Sequence, residues 1–250
     1  MRAQARGLEL RLLGGFALVH GGVEIVLAPL SERLLAFLAL GDVIPRDTVA
    51  FRLWPDTGEE QAHACLRSTL WRLPKPGGTS LVRGDVGRLH LNRTVAIDIH
   101  LLQSLVTTWT PAAPPPDAVG AHALGADLLP SWYDDWLLIE RERHRQLRLH
   151  TLERLSSWHA AQAAYPEAIE AALHAVAGDP LRESAHRCLV RAHLGEGNLS
   201  EATRQTRSYL DLLAEAGLPE RLSPQMEELT LGFGYDEWPV GSAPRSVGRQ

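Results

Sequence analysis

The sequence predicts a mainly α-helical chain with a small β portion confined to its N-terminal part. Two observations carry this. Apolar and charged residues alternate along Leu8-Glu9-Leu10-Arg11-Leu12, and the alternation resumes through Phe16, Leu18 and Val23 to Leu27 around Gly21-Gly22. That is the period of a sheet with one buried face and a tight turn. Beyond Trp132 the pattern is almost wholly helical, interrupted at Tyr165-Pro166, Gly178-Asp179-Pro180 and Gly195-Glu196-Gly197-Asn198.

After the sheet, Ser31 is a good N-cap for a helix carrying Leu34, Leu35, Phe37 and Leu38 at helical spacing up to Gly41. A second short helix fits Pro45 to Trp54, with Val49, Leu53 and Trp54 on its apolar face and Pro55 after it. Thr57-Gly58-Glu59-Glu60 has the spacing of a capping box and starts a third helix, whose apolar stripe is Ala62, Leu66, Leu70 and Leu73. Pro74 ends it. Leu81-Val82-Arg83 and Arg88-Leu89-His90-Leu91 then flank Gly84-Asp85-Val86-Gly87, a hairpin signal. Sheet, three helices and hairpin is the order of a winged helix, expected over residues 1–97.

The second part is expected over 98–232, with a proline-rich loop at 110–117 that can be neither helix nor central strand. A long helix is expected from about Trp132 to Ala163, followed by helices at 167–176, 181–194 and 199–216. From Tyr165-Pro166 to Asn198-Leu199 the spacing is close to the roughly 34-residue period of tetratricopeptide repeats. Ala168, Ala171, Ala172 and Ala202 supply the small side chains that close helix pairing needs. Residues 233–250, rich in Gly, Pro, Ser and Arg, read as a disordered tail.

At 250 residues, with 45% hydrophobic and 22% charged residues, the chain suits two domains of ordinary globular make-up. Cys65 and Cys188 lie far apart and fit no metal or disulfide framework, and no apolar run is long enough to span a bilayer. A reducing, cytoplasmic setting and no membrane are expected. The net charge of −5 divides unevenly: residues 1–105 hold 12 Lys and Arg against 10 Asp and Glu, net +2, and the remainder 13 against 20, net −7. Only the first part suits phosphate as a partner.

Leu10-Arg11-Leu12-Leu13-Gly14-Gly15-Phe16, the helix Arg33 to Leu40, and Pro45-Arg46-Asp47 to Leu53-Trp54-Pro55-Asp56 together resemble the opening of the SARP (antibiotic regulatory protein) family of bacterial activators. Asp98-Ile99-His100, Glu140-Arg141-Glu142-Arg143 and the run Gly178 to Arg187 look like that family's bacterial transcriptional activation domain. The resemblance covers roughly residues 8–230 and lies in the order of motifs rather than in any one. It implies a response-regulator-type winged helix joined to a tetratricopeptide-like domain. It also implies direct-repeat operators, double-stranded DNA and RNA polymerase as partners, and a homodimer at least on DNA. The third helix departs from the family by ending at Pro74-Lys75-Pro76-Gly77-Gly78 where further arginines are usual.

With the third helix as reader, His63, Arg67, Ser68 and Trp71 are the candidates for base contact. Arg67 comes first, because a guanidinium bonds guanine O6 and N7 together. Arg72, Lys75, Arg83 and Arg88 are the phosphate candidates. The bland alternative for each arginine is a solvated surface group. For Trp71 it is an aromatic packed at the helix edge, which general burial trends favour. By resemblance, Trp54, Asp56, Thr57 and Glu59 form a loop that touches polymerase; as bare sequence they are a helix stop and a cap.

Eleven histidines raise the question of an enzyme. His186 and His193 share a helix face, but no third ligand stands at metal spacing, and neither a phosphate loop nor a nucleophile elbow is present. No cofactor, metal or catalytic residue is expected. The rival to a DNA-binding regulator is a helical-repeat adaptor whose winged helix no longer binds DNA.

Overall fold

The computed structural model describes residues 7–110, 113, 115 and 124–231. The proline-rich stretch is thus seen only in part, and the expected tail at 233–250 lies outside the described residues. The chain divides into two compact units, Met1–Arg148 and Leu149–Gln250.

In the first unit, β1 (Leu8–Arg11), β2 (Ala17–His20) and β3 (Val23–Ile25) form an antiparallel meander, with Leu8, Leu10 and Leu18 turned into the core. His20 pairs with Val23, so Gly21 and Gly22 make the two-residue turn at φ 59° and 84°. Two positive φ values in a two-residue hairpin loop are the type I′ geometry, which suits the sheet's twist and favours glycine.

α1 (Pro29–Leu40) begins before Ser31, which is buried inside the first turn. Extended Ala28 is followed by Pro29, whose fixed φ and missing N–H suit the first helical position without a side-chain cap. α2 (Arg46–Leu53) follows the short strand β4 (Ile44–Pro45), and α3 spans Glu59–Arg72. The expected capping box does not form. Gly58 takes the cap position in extended conformation, while the Thr57 hydroxyl donates to the Trp54 carbonyl at 3.0 Å. Beyond the 3-10 turn Pro76–Gly78, β5 (Val82–Asp85) and β6 (Arg88–Leu91) form the hairpin, and β4 joins β6 to complete a three-stranded sheet.

β7 (Val95–Ile97) then returns to pair parallel with β1, Leu8 beside Val95, an arrangement the sequence pattern had not announced. The carboxylate of Asp98, the first residue of α4 (Asp98–Thr108), accepts the backbone N–H groups of Leu12, Leu13 and Ile99 at 2.8–3.1 Å. An acidic side chain at a helix start, holding three donors, fixes that helix against the end of β1.

The long helix α5 (Asp135–Ala161) starts in this unit. Leu13 bridges to Leu128, Phe16 stacks on Trp132, and Phe37 meets Trp136 edge to face. Arg33 pairs with Asp134, and Arg141 donates to the carbonyls of Leu128 and Leu129.

In the second unit, the end of α5 is followed by α6 (Tyr165–Gly178), α7 (Glu183–Glu196), α8 (Leu199–Glu215) and a short α9 (Pro224–Thr230) that periodicity did not reveal. α6 and α8 begin 34 positions apart, at Tyr165 and Leu199. α6 packs on α7 and α7 on α8. Their seams are small: Ala168, Ala172, Ala175, Ala185, Ala192 and Ala202 are fully buried. α7 ends on Gly197 in the left-handed region, and the Asn198 side chain caps α8. Buried His186 is fully partnered: Nε2 donates to the Pro180 carbonyl at 2.8 Å, Nδ1 accepts from Gln205 at 2.7 Å, and the ring lies on Tyr209. Burial lowers its pKa.

Candidate nucleic-acid interface

α3 has an inner and an outer face. Ala62, Leu66 and Thr69 are buried, the Thr69 hydroxyl donating to the Cys65 carbonyl at 2.8 Å within the helix. Arg67, Ser68, Trp71 and Arg72 are exposed. Trp71 is 87% exposed, which overturns the packed-edge reading. It lies five residues after Leu66, about 140° around the helix from that core position, so no apolar neighbour covers it. His63 is oriented differently. It is half-buried against α2, 3.5 Å from the Asp47 carboxylate and edge to face with Phe51.

The hairpin stands beside the C-terminal end of α3. Arg83 and Arg88 are exposed on its strands, and the two-residue turn carries Val86, 97% exposed, and Gly87 at φ 76°. A cleft of about 200 Å³ joins helix end to hairpin, lined among others by Leu70, Leu73, Lys75, Ser80, Val82 and Arg46. The sequence reading missed Arg46. Its backbone N–H donates to the Gly87 carbonyl at 2.8 Å, and its guanidinium lies against Gly84. The only signal was its place at the start of α2; the two-residue strand that brings it to the hairpin is too short to show as a period.

In the loop between α2 and α3, Trp54 is buried in the core, whereas Asp56 and Thr57 are exposed, as is Glu59 at the start of α3. Trp54 therefore anchors the loop and its polar neighbours form its surface. Among the described residues no group of three or more His, Cys, Asp or Glu is placed to hold a metal ion, and no helix is long and apolar enough to cross a membrane.

Paired helices thus follow an N-terminal winged region that carries an exposed basic face. Residues 122–230 match the bacterial transcriptional activator domain family. That match covers the C-terminal helices and the residues leading into them, 109 of the 250 residues of the chain. Its fold is similar to that of Mycobacterium tuberculosis EmbR, solved in complex with a low-affinity phosphopeptide, at a TM-score of 0.60 and 17% sequence identity over 90% of this chain. The match spans 64% of the EmbR chain. No curated protein is significantly similar in sequence.

Proposed function

We propose that the protein is a sequence-specific DNA-binding activator, with residues 1–97 as its DNA-binding domain and 98–232 as its activator domain. The observation that carries this is the outer face of α3: Arg67, Ser68, Trp71 and Arg72 are exposed together on one helix beside a hairpin bearing Arg83 and Arg88. In this reading α3 enters the major groove, where Arg67 bonds a guanine edge while Ser68 and Trp71 contact neighbouring bases. His63, held by Asp47, borders that contact. Arg72, Lys75, Arg83, Arg88 and Arg46 grip phosphates, supplying affinity with little sequence information.

The exposed Asp56 and Thr57, on the loop anchored by Trp54, and Glu59 at the start of α3 touch RNA polymerase, and homodimers occupy direct-repeat operators of secondary-metabolite genes in a bacterial cytoplasm. The test is binding to promoter fragments from the protein's genomic neighbourhood across a salt series. Arg67→Ala is expected to relax selectivity, and Arg83→Ala to weaken all sequences alike and flatten the salt slope by about one unit. Absence of selective binding at low salt would favour the helical adaptor, a reading supported by the early end of α3 at Arg72.

A further inference from the structure

A cavity of about 570 Å³ opens in the first unit, remote in sequence from α3 and the hairpin. It is bordered by the end of α1 (Leu40) and the turn after it (Asp42), by α4 (Ile99, His100, Gln103) and by α5 (Glu140, Arg143, His144, Leu147). Its size is that of a small-molecule site.

One residue bordering this cavity, His144, has a ring nitrogen with no hydrogen-bond partner. His144 is 3% exposed, and its Nε2 faces the Ala126 carbonyl at 3.2 Å. A carbonyl only accepts, so Nε2 carries the proton and Nδ1 presents a lone pair. That Nδ1 is buried and unpartnered. Burial also lowers the imidazole pKa and keeps the ring neutral. Leaving a buried acceptor unmatched is costly, so a group in this state favours a ligand that supplies the missing proton.

The charges agree. Glu140 and Arg143 pair with each other at 2.6 Å, whereas no hydrogen bond or ion pair among the described residues reaches the Asp42 carboxylate. Arg93 faces the adjoining cavity of about 210 Å³, which Asp42 also lines, without pairing with it. Leu40, Ile99 and Leu147 supply an apolar wall. We propose that this cavity is an effector site for a small organic amine, whose ammonium donates to Asp42 and His144 while its hydrocarbon body lies on Leu40, Ile99 and Leu147.

The occupant would touch α1, a core helix of the winged helix, together with α4 and α5 that follow it. Binding can be read without DNA, so its failure and that of the DNA-binding reading are separate. The experiment titrates the full chain calorimetrically with hexylamine and tyramine, using 1-hexanol and hexanoate as neutral and anionic controls. Asp42→Asn is the variant, chosen because Asp42 is exposed and unpartnered, so the fold keeps its contacts.

The amines are expected to bind with millimolar or tighter Kd, and Asp42→Asn to weaken them at least about tenfold, or ~1.4 kcal/mol. In ¹⁵N-histidine-labelled protein, the His144 Nδ1 resonance is expected to move upfield as its lone pair accepts the ammonium proton. No saturable amine binding up to about 10 mM, hexanol or hexanoate binding as well as hexylamine, or an unchanged Kd in Asp42→Asn would each overturn the proposal.

Discussion

Gly195 lies in α7 where an added Cβ would stand 2.5 Å from Tyr165 Cε1 and 3.1 Å from Cζ, against ordinary carbon contacts of about 3.5–4.0 Å. Two effects of Gly195→Ala oppose each other. Alanine removes the flexibility cost of glycine in a helix, a gain of about 1 kcal/mol. Relieving the overlap means displacing the Tyr165 ring by about 1 Å from the start of α6, and overpacking of this kind costs about 1–3 kcal/mol. The clash should win, leaving Gly195→Ala destabilised by about 1–2 kcal/mol. In a Tyr165→Ala background the obstacle is gone and only the propensity gain remains, so the same substitution should stabilise by about 1 kcal/mol. The assay is urea unfolding of the four proteins by circular dichroism, taken as a double-mutant cycle. A coupling energy near zero, or destabilisation by Gly195→Ala in both backgrounds, would show that the α6–α7 approach does not require glycine.

His144 and His186 both have pKa values lowered mainly by burial, so the unfolded chain takes up protons at higher pH than the folded one. Stability is therefore full above about pH 6.5 and falls as the pH drops toward the folded values, by up to about 1.4 kcal/mol per pH unit for each histidine. A urea midpoint that stays flat from pH 7.5 to 5 would refute this. Lys75 is the chain's single lysine; if it grips phosphate, operator DNA should slow its acetylation, read by peptide mass spectrometry, while the α-amino group serves as internal reference. Equal acetylation with and without bound DNA would remove Lys75 from the interface. A fragment ending at residue 110 loses the partners of Leu13, Phe16, Arg33 and Phe37, so it should unfold at lower urea than one ending at 161; equal midpoints would show that those contacts add nothing.

Local rules made much of this fold legible. Gly21-Gly22 prefigured a type I′ turn because few other residues take two positive φ values, and Gly178-Asp179-Pro180 divided α6 from α7 because proline cannot continue a helix. The illegible parts depend on long-range pairing. β7 is three residues long and pairs with a strand on the far side of three helices and the hairpin in sequence. α9 was missed because seven residues give too few turns for a period. The interface shows the same limit. Arg67 and Arg72 could be assigned to the outer face of α3, and Trp54 to the core, from spacing alone, but the exposure of Trp71 and the approach of Arg46 to Gly84 follow from which neighbours arrive, and spacing carries no record of those.

The family match begins at residue 122, whereas the first compact unit extends to Arg148. The overlap has a physical content. The N–H of Gly14 donates to the Asp127 carbonyl at 2.8 Å and that of Leu129 to the Leu12 carbonyl at 2.9 Å, so the start of the matched region bridges to the residues that follow β1. Trp132 and Trp136 then cover Phe16 and Phe37, and Asp134 holds Arg33 of α1. Aromatic contacts of this kind add about 0.5–1.5 kcal/mol each beyond the area they bury. The helix that packs beneath α3 is thereby tied to the residues that open α5, the same helix that lines the cavity assigned to an amine. A ligand that shifts α5 must either carry α1 with it or break those contacts, and the first course is the less costly. An effector of the kind proposed for that cavity would therefore act on the seat of α3, the helix proposed to read DNA.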